Sequence, residues 1–221
     1  MKLAICLPGN SYSGKFLDSF IFFLVWCFER GIYVHYTRKE SSVVYFARNL
    51  CLGANVLCGE FQKPWQGEID YDYMLWIDSD IVFNPQDFSK LLEMNKDIAS
   101  GLYLVDNGTL NPDRFATVVN WDEDFFSKNG YFEYLSKAEI QDKKDPFKVD
   151  YTGFGFMLLK KGVIENNITY PFFRPLYKRI GKCFDFTSED VGFCHLAKQA
   201  GLEIWVNPQV IVGHEKKVIL R

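Results

Sequence analysis

The apolar run Tyr71-Asp72-Tyr73-Met74-Leu75-Trp76-Ile77, followed at once by Asp78-Ser79-Asp80, constrains this chain more than any other stretch. It sets two carboxylates where a buried strand emerges into solvent. A short run rich in aromatic and β-branched residues, bounded by polar ones, reads as a central strand, and open α/β sheets bind ligands beyond the carboxyl ends of such strands. Carboxylates one residue apart, with a small residue between, can share one hard divalent cation and the phosphates it carries. An Asp-rich turn that merely ends the strand is the plainer alternative, so the rest of the chain has to decide.

Upstream, the pattern predicts strands over residues 2–7, 32–37 and 73–77 and helices over 13–30 and 41–52. That alternation implies right-handed βαβ units and a mostly parallel sheet. Asn84-Pro85 supplies an N-cap followed by proline at the first helical position, so 85–94 reads as a helix, with a strand over 97–104. Beyond it, 115–121 and 131–135 read as strands of a second, more antiparallel region, separated by the acidic turn Asp122-Glu123-Asp124. The charged segment 141–146 reads as a solvated loop. The stretch 149–159 reads as one strand whose Gly153 and Gly155 let the backbone approach a ligand, and 170–185 as a loop over the site. Ser188 and Gly201 bracket a helix that opens on Glu189-Asp190. A short apolar strand over 202–206 and the segment Asn207 to His214 follow.

The 221 residues suffice for one α/β domain with a sizeable core. A net charge of −3 without a basic block excludes nucleic acid and anionic membranes as general partners. The aromatic fraction of 17% is high, and most of those rings must be core. Residues 16–28 are strongly apolar, but Asp18 interrupts them and Glu29-Arg30 closes them, too early to span a bilayer. They also lack the features of a signal peptide, so they read as a buried amphipathic helix ended by Gly31. The six cysteines include no C-x-x-C pair and read as reduced, buried thiols of an intracellular protein rather than a metal cluster.

An apolar strand running into Asp-x-Asp, a Gly-rich strand, Glu-Asp opening a helix, then a strand and a closing His: in this order the chain resembles the GT-A family of nucleotide-sugar glycosyltransferases. Lys2 to Gly9 matches the family's opening strand and Phe46-Ala47-Arg48-Asn49 its early helix, so the resemblance covers nearly the whole chain. The compact form is similar to glycosyltransferase domains encoded by large viruses of algae. The resemblance implies a single GT-A-like catalytic domain over 1–221, with a nucleotide-binding half at about 1–105 and an acceptor-side half at about 106–221. It implies a UDP-sugar donor, Mn²⁺ or Mg²⁺, a glycan or other hydroxyl acceptor, and a cytoplasmic location, the host's if the protein is viral. The tail from Lys216 to Arg221 runs on without a clear stop, as it would in one domain of a longer polypeptide.

Carried onto these residues, the resemblance makes Asp80 the direct metal ligand and His214 a second. Asp78 binds the ribose or reaches the metal through water, with Ser79 beside it. Leu7, Pro8 and Gly9 hold the base through their backbones. Asp190 shares the inward side of its helix with Phe193, Cys194 and Ala197, and the family's use for a carboxylate there is a general base, hence an inverting transfer. The plainer reading of Glu189 and Asp190 is stabilisation of the helix dipole. Arg48 is a candidate fork for the diphosphate, and Asp72 a candidate for the nucleotide edge. Tyr151, Phe154, Phe172, Phe173 and Trp205 are candidate sugar platforms unless they are core.

One rival shares the strand-to-helix context. Gly9-Asn10-Ser11-Tyr12-Ser13-Gly14-Lys15-Phe16 nearly spells a P-loop, but Phe16 stands where a hydroxyl must reach Mg²⁺. That reading leaves Asp80, Glu189-Asp190 and His214 without a role. A non-catalytic carbohydrate- or nucleotide-binding module is the remaining alternative.

Overall fold

A computed structural model describes residues 1–105, 108 and 111–216 of the chain; residues 217–221, most of the expected tail, lie outside the described residues. The first half alternates as expected: Lys2–Pro8 (β1), Gly14–Glu29 (α1), Tyr33–Lys39 (β2), Val44–Cys51 (α2), Tyr73–Ile77 (β3), Ile81–Val82 (β4), Pro85–Glu93 (α3) and Ile98–Leu102 (β5). Thr117–Val118 (β6), Glu123–Asn129 (α4), Lys137–Ile140 (α5), Phe147–Val149 (β7), Tyr151–Thr152 (β8), Phe156–Lys160 (β9) and Val163–Asn167 (α6) follow. The chain continues through Tyr177–Ile180 (β10), Cys183–Phe186 (β11), Glu189–Gln199 (α7), Ile204–Ile211 (β12) and Gly213–His214 (β13).

The central sheet has seven strands in the order β2-β1-β3-β9-β5-β12-β7. β2, β1, β3, β5 and β12 run one way, while β9 and β7 run against them. Period-two alternation sends side chains to two cores. Leu3, Ile5, Leu75 and Ile77 face Phe16, Phe23 and Phe88 of α1 and α3. Ala4, Cys6, Met74 and Trp76 face Cys51, Phe173 and Phe193 on the side of α2 and α7. Fully burying an aromatic or large aliphatic side chain contributes about 1.5–3 kcal/mol, so both faces of the sheet are held.

Local chemistry sets the helix ends. Ser13 caps α1 by accepting from Phe16 N at 3.0 Å, and Asn84 with Asp87 forms a capping box on α3. Gly201, at φ +83°, turns the chain out of α7.

Several expectations are corrected. Asp122-Glu123-Asp124 is not a turn but the start of α4, because Asp122 accepts from Phe125 N and Gly130 closes the helix in the left-handed region. Residues 131–135 form no strand; Phe132 instead packs its ring on Trp121 and Phe126. The stretch 149–159 is divided among β7, β8 and β9. Gly153 and Gly155 make room for a side chain rather than a ligand: a Cβ at Gly153 would fall 1.9 Å from the Tyr103 hydroxyl oxygen and one at Gly155 2.6 Å from the Tyr103 ring. Half of 170–185 is the hairpin β10–β11, and its Phe172 and Phe173 are core. Cys58 is exposed and Cys183 half-buried, whereas the other four thiols are buried and all six are free. No described helix is long and apolar enough to cross a membrane. Nor is α1 buried all round, since Ile21, Phe22 and Phe28 face solvent.

Candidate functional site

The carboxyl end of β3 delivers Asp78, Ser79 and Asp80 to one edge of the sheet, beside the end of β1 and the start of β9. Asp78 N donates to Gly155 O at 3.0 Å, which fixes the exit of the strand. Gly9, at φ +142°, lies so close to Ser79 that a Cβ there would stand 2.8 Å from the serine Cβ. The end of β1 and the Asp-Ser-Asp turn therefore meet. Tyr12 closes this turn, its hydroxyl donating to Leu7 O and Gly9 O at 3.2 Å each.

Asp80 gathers the far end of the chain. Its Oδ2 lies 3.1 Å from His214 Nε2, across 134 residues of sequence, and accepts from Lys216 Nζ at 2.8 Å. Glu215 N donates to Asp80 O at 2.7 Å, while Ser13 Oγ donates to the Glu215 carboxylate. Partial burial would raise the Asp80 carboxyl, but His214 and Lys216 outweigh it and hold the group down to about 2. His214 Nδ1 sits 2.6 Å from Leu104 O. A carbonyl only accepts, so Nδ1 carries a proton and Nε2 is left facing the Asp80 carboxylate. That contact is held either by a second proton on the ring or by a cation that both groups share. Tyr103, buried beneath, meets the imidazole edge-on at 5.0 Å.

Arg48 is used differently from the expectation. Its side chain is 3% exposed and spans two carboxylates: Nη2 donates to Asp78 Oδ2 at 3.0 Å and Nε to Glu189 Oε1 at 3.1 Å. Nη1 lies 3.0 Å from Asp78 Oδ1 without the alignment of a hydrogen bond. Phe154 and Trp76 lie under the guanidinium. Burial would lower the guanidinium, but Asp78 and Glu189 raise it well above its ordinary value, so it is permanently charged. Burial likewise raises the carboxyls of Asp78 and Glu189, with Arg48 opposing it in both. The fork expected to hold a diphosphate is thus taken up by protein carboxylates, and Asp78 is turned toward Arg48 rather than toward Asp80's partners. Glu189, read from sequence as a dipole stabiliser, is a buried ion-pair partner.

Asp190 follows at the first turn of α7. Tyr151 Oη donates to its Oδ2 at 2.9 Å, and Val191 N to its Oδ1 at 2.8 Å. Ser188 occupies the N-cap position but gives its hydroxyl to Asp190 Oδ1 instead of capping the backbone. Asp190 is only half-buried, and it acts electrostatically on Asp78 and Arg48. One edge of the sheet therefore carries Asp78, Asp80, Glu189, Asp190, Arg48 and His214.

Asp72 does not join them. It precedes β3, whose rise places it roughly 20 Å from Asp78 at the opposite edge, where its carboxylate accepts from Lys2 N at 2.7 Å. Of the candidate platforms, Tyr151, Phe154, Phe172 and Phe173 are buried, and half-buried Trp205 is covered by Lys96 at 3.9 Å from its ring. The P-loop reading loses its donors: Gly9 N is committed to Lys39 O at 2.9 Å, and Phe16 is buried.

Among the described residues no three His, Cys, Asp or Glu side chains converge as a ready metal cage. Asp80 and His214 form an oxygen–nitrogen pair, and such a pair fits a divalent cation whose remaining ligands come from phosphate oxygens and water.

No protein-family model matches the chain, and no curated protein matches it. Among solved structures it is similar to A197 from STIV, with a TM-score of 0.52 and 16% identity over 100% of this chain and 97% of that one. It is also similar to GalNAc-T7, solved with UDP, GalNAc and Mn²⁺, with a TM-score of 0.51 and 10% identity over 98% of this chain and 44% of that one. The catalytic domain of Drosophila β1,4-galactosyltransferase 7, solved with xylobiose, follows at 0.49 and 11%, over 98% and 71%. This chain thus spans less than half of GalNAc-T7. The likeness shows a GT-A-like α/β fold, shared with glycosyltransferases.

Proposed function

We propose that this chain is a metal-dependent glycosyltransferase that moves a sugar from a nucleotide-diphosphate sugar, UDP-sugar in the first instance, to an acceptor hydroxyl with inversion. The observation that carries the reading is the Asp80–His214 pair, with Nε2 brought to 3.1 Å from the carboxylate while Nδ1 is held by Leu104 O. Asp80 and His214 would hold Mn²⁺ or Mg²⁺, which when bound neutralises charge on the departing diphosphate. Structures of this fold include one solved with UDP and Mn²⁺, in keeping with that assignment.

The remaining roles follow from position. Leu7, Pro8 and Gly9 line the nucleotide side beside Ser79, in a half running to about residue 105, and residues from about 106 onward form the acceptor side. Asp78 acts as the buried counter-charge of Arg48, which locks the β3 exit to the start of α7 through Glu189. Asp190, oriented by Tyr151 and Ser188, accepts the proton of the acceptor hydroxyl as that oxygen attacks the anomeric carbon; the carbon–oxygen bond to the diphosphate breaks on the opposite face. Ser188 and Tyr151 keep the carboxylate from rotating away.

The test separates binding from transfer. Calorimetry of UDP-sugar binding with metal, run beside a transfer assay whose product anomer is read by NMR, should show Asp80→Asn abolishing metal-dependent binding. Asp190→Asn should bind normally and lose transfer by roughly 10²–10⁴. Transfer at the parental rate in Asp190→Asn, or a product that retains configuration, would remove the base and the inverting mechanism. Donor binding without transfer to any acceptor would favour a binding module.

A further inference from the structure

The described residues enclose a further concavity, a cleft of about 410 Å³ on the outer side of α7, within the size range of small-molecule sites. Val191, His195 and Lys198 recur along it at helical spacing, away from buried Phe193 and Ala197. Asp150, Lys178, Trp121 and Glu123 line it with them. Direct contacts tie these walls together. Asp150 accepts from Trp121 N at 2.6 Å and from Lys198, and Glu123 accepts from Gly181 N at 3.0 Å, which pins the β10–β11 turn to α4.

Trp121 is the apolar part. Phe132 covers one side of its indole, with ring centroids 3.7 Å apart, and the rest of the ring lines the cleft, 5.8 Å from Lys178 Nζ. Groups of both signs surround it: the ammonium groups of Lys178 and Lys198 and the carboxylates of Asp150 and Glu123. Lys178 has no ion-pair partner among the described residues; its Nζ lies 3.3 Å and 3.2 Å from the two ring nitrogens of His195. Burial and both ammonium groups hold that imidazole below its ordinary value, so it is neutral and accepts from Lys178. This balance selects the ligand. An anion such as phosphate would want an excess of cations, and an acyl chain an unbroken apolar wall. A pyranose has an apolar C–H face to lay on the indole and a rim of hydroxyls that both donate and accept.

We propose that this cleft binds a sugar unit of the acceptor, stacked on Trp121 and held at its hydroxyls by Lys178, Asp150 and Glu123, so that the acceptor ends in a glycan of at least a disaccharide. The inference rests on the reading of Asp190 as the base of the transfer. The chain itself joins the cleft to that base: Val191 N donates to Asp190 Oδ1 at 2.8 Å, and Asp150 precedes Tyr151, which donates to Oδ2 at 2.9 Å. His195, beside Lys178, lies about 7.5 Å along α7 from Asp190. The unit on Trp121 therefore sits beyond the one whose hydroxyl reacts.

An array of di- to tetrasaccharides, probed with the whole chain alone and with UDP and Mn²⁺, tests this beside calorimetry of UDP-sugar binding. The parent should bind a subset of the array, and Lys178→Met and Trp121→Ala should each weaken that binding by about tenfold or more while UDP-sugar binding stays at the parental value. Because Trp121→Ala also loses its packing on Phe132, Trp121→Phe is the second variant. A bound oligosaccharide should change tryptophan emission in the parent and leave it unchanged in Trp121→Phe, which still binds. Failure of every glycan to bind, binding indifferent to Lys178→Met and Trp121→Ala, or an emission change that persists in Trp121→Phe overturns the proposal. So does inorganic phosphate that binds the parent and not Lys178→Met while no glycan binds, which would assign the cleft to anions. Glycan binding at Trp121 without any UDP-sugar binding supports the cleft and removes the transferase reading, so the two fail separately.

Discussion

Arg48 is the residue on which the site's rigidity turns, because it is buried with a carboxylate on each side. Removing one partner of a buried ion pair leaves charge without compensation, at a cost of about 3–5 kcal/mol. Arg48→Met should lose stability of that order in urea unfolding, and Glu189→Gln in the same background should restore part of it. If Arg48→Met costs less than about 1 kcal/mol, the triad is not what holds α2, β3 and α7 together. Asp80 makes a prediction with a definite sign. Its folded value of about 2 lies below its ordinary 3.8. The stability it contributes is therefore fully present above about pH 4 and lost as pH falls toward 2. Urea midpoints of the metal-free protein should drop across that window in the parent and drop less steeply in Asp80→Asn; parallel curves would contradict the contact with His214 and Lys216. Sequence named Asp80, Asp190, His214 and Arg48 because motif order and a polar residue on an apolar face are local signals. It missed Arg48's partners because the Glu189 contact spans 141 residues, and no local pattern encodes which of two adjacent acids, Glu189 or Asp190, turns inward.

Among elements, the loop between β8 and β9 is set by Tyr103, which follows β5. Its ring fills the space over Gly153 and Gly155, its hydroxyl accepts from Gly155 N at 3.3 Å, and its other side supports His214. Gly153→Ala should cost about 1–3 kcal/mol through overpacking. The cost should shrink in a Tyr103→Leu background, so that the double-mutant cycle shows coupling; strictly additive costs would mean the glycine is tolerated for another reason. The sequence showed that these glycines mark a close approach, but glycine spacing alone does not say whether a ligand or a ring approaches. The first five β/α elements were legible because buried parallel strands and capped helices carry strong periodicity. The region from Phe115 to Phe147 was not, since its two-residue strands and short helices are fixed by aromatic packing between Trp121, Phe126 and Phe132 rather than by pattern.

For the whole molecule, the sheet brings the carboxyl ends of β1 and β3, the starts of β9 and α7 and the segment after β12 to one edge. That convergence is why residues from 7 to 216 contribute to one site, and the order of motifs announced it before any single motif could. Unfolding midpoints under a panel of nucleotides, each with and without Mn²⁺, test the assignment most directly. A ligand at about a hundred times its dissociation constant adds roughly 2.7 kcal/mol. For a chain of this size that is a rise on the order of 5–10 °C. UDP or a UDP-sugar should raise the midpoint by that amount only when the cation is present, and Asp80→Asn should abolish the rise. A shift with ATP and none with UDP, or a UDP shift equal in Asp80→Asn and indifferent to metal, would contradict the account.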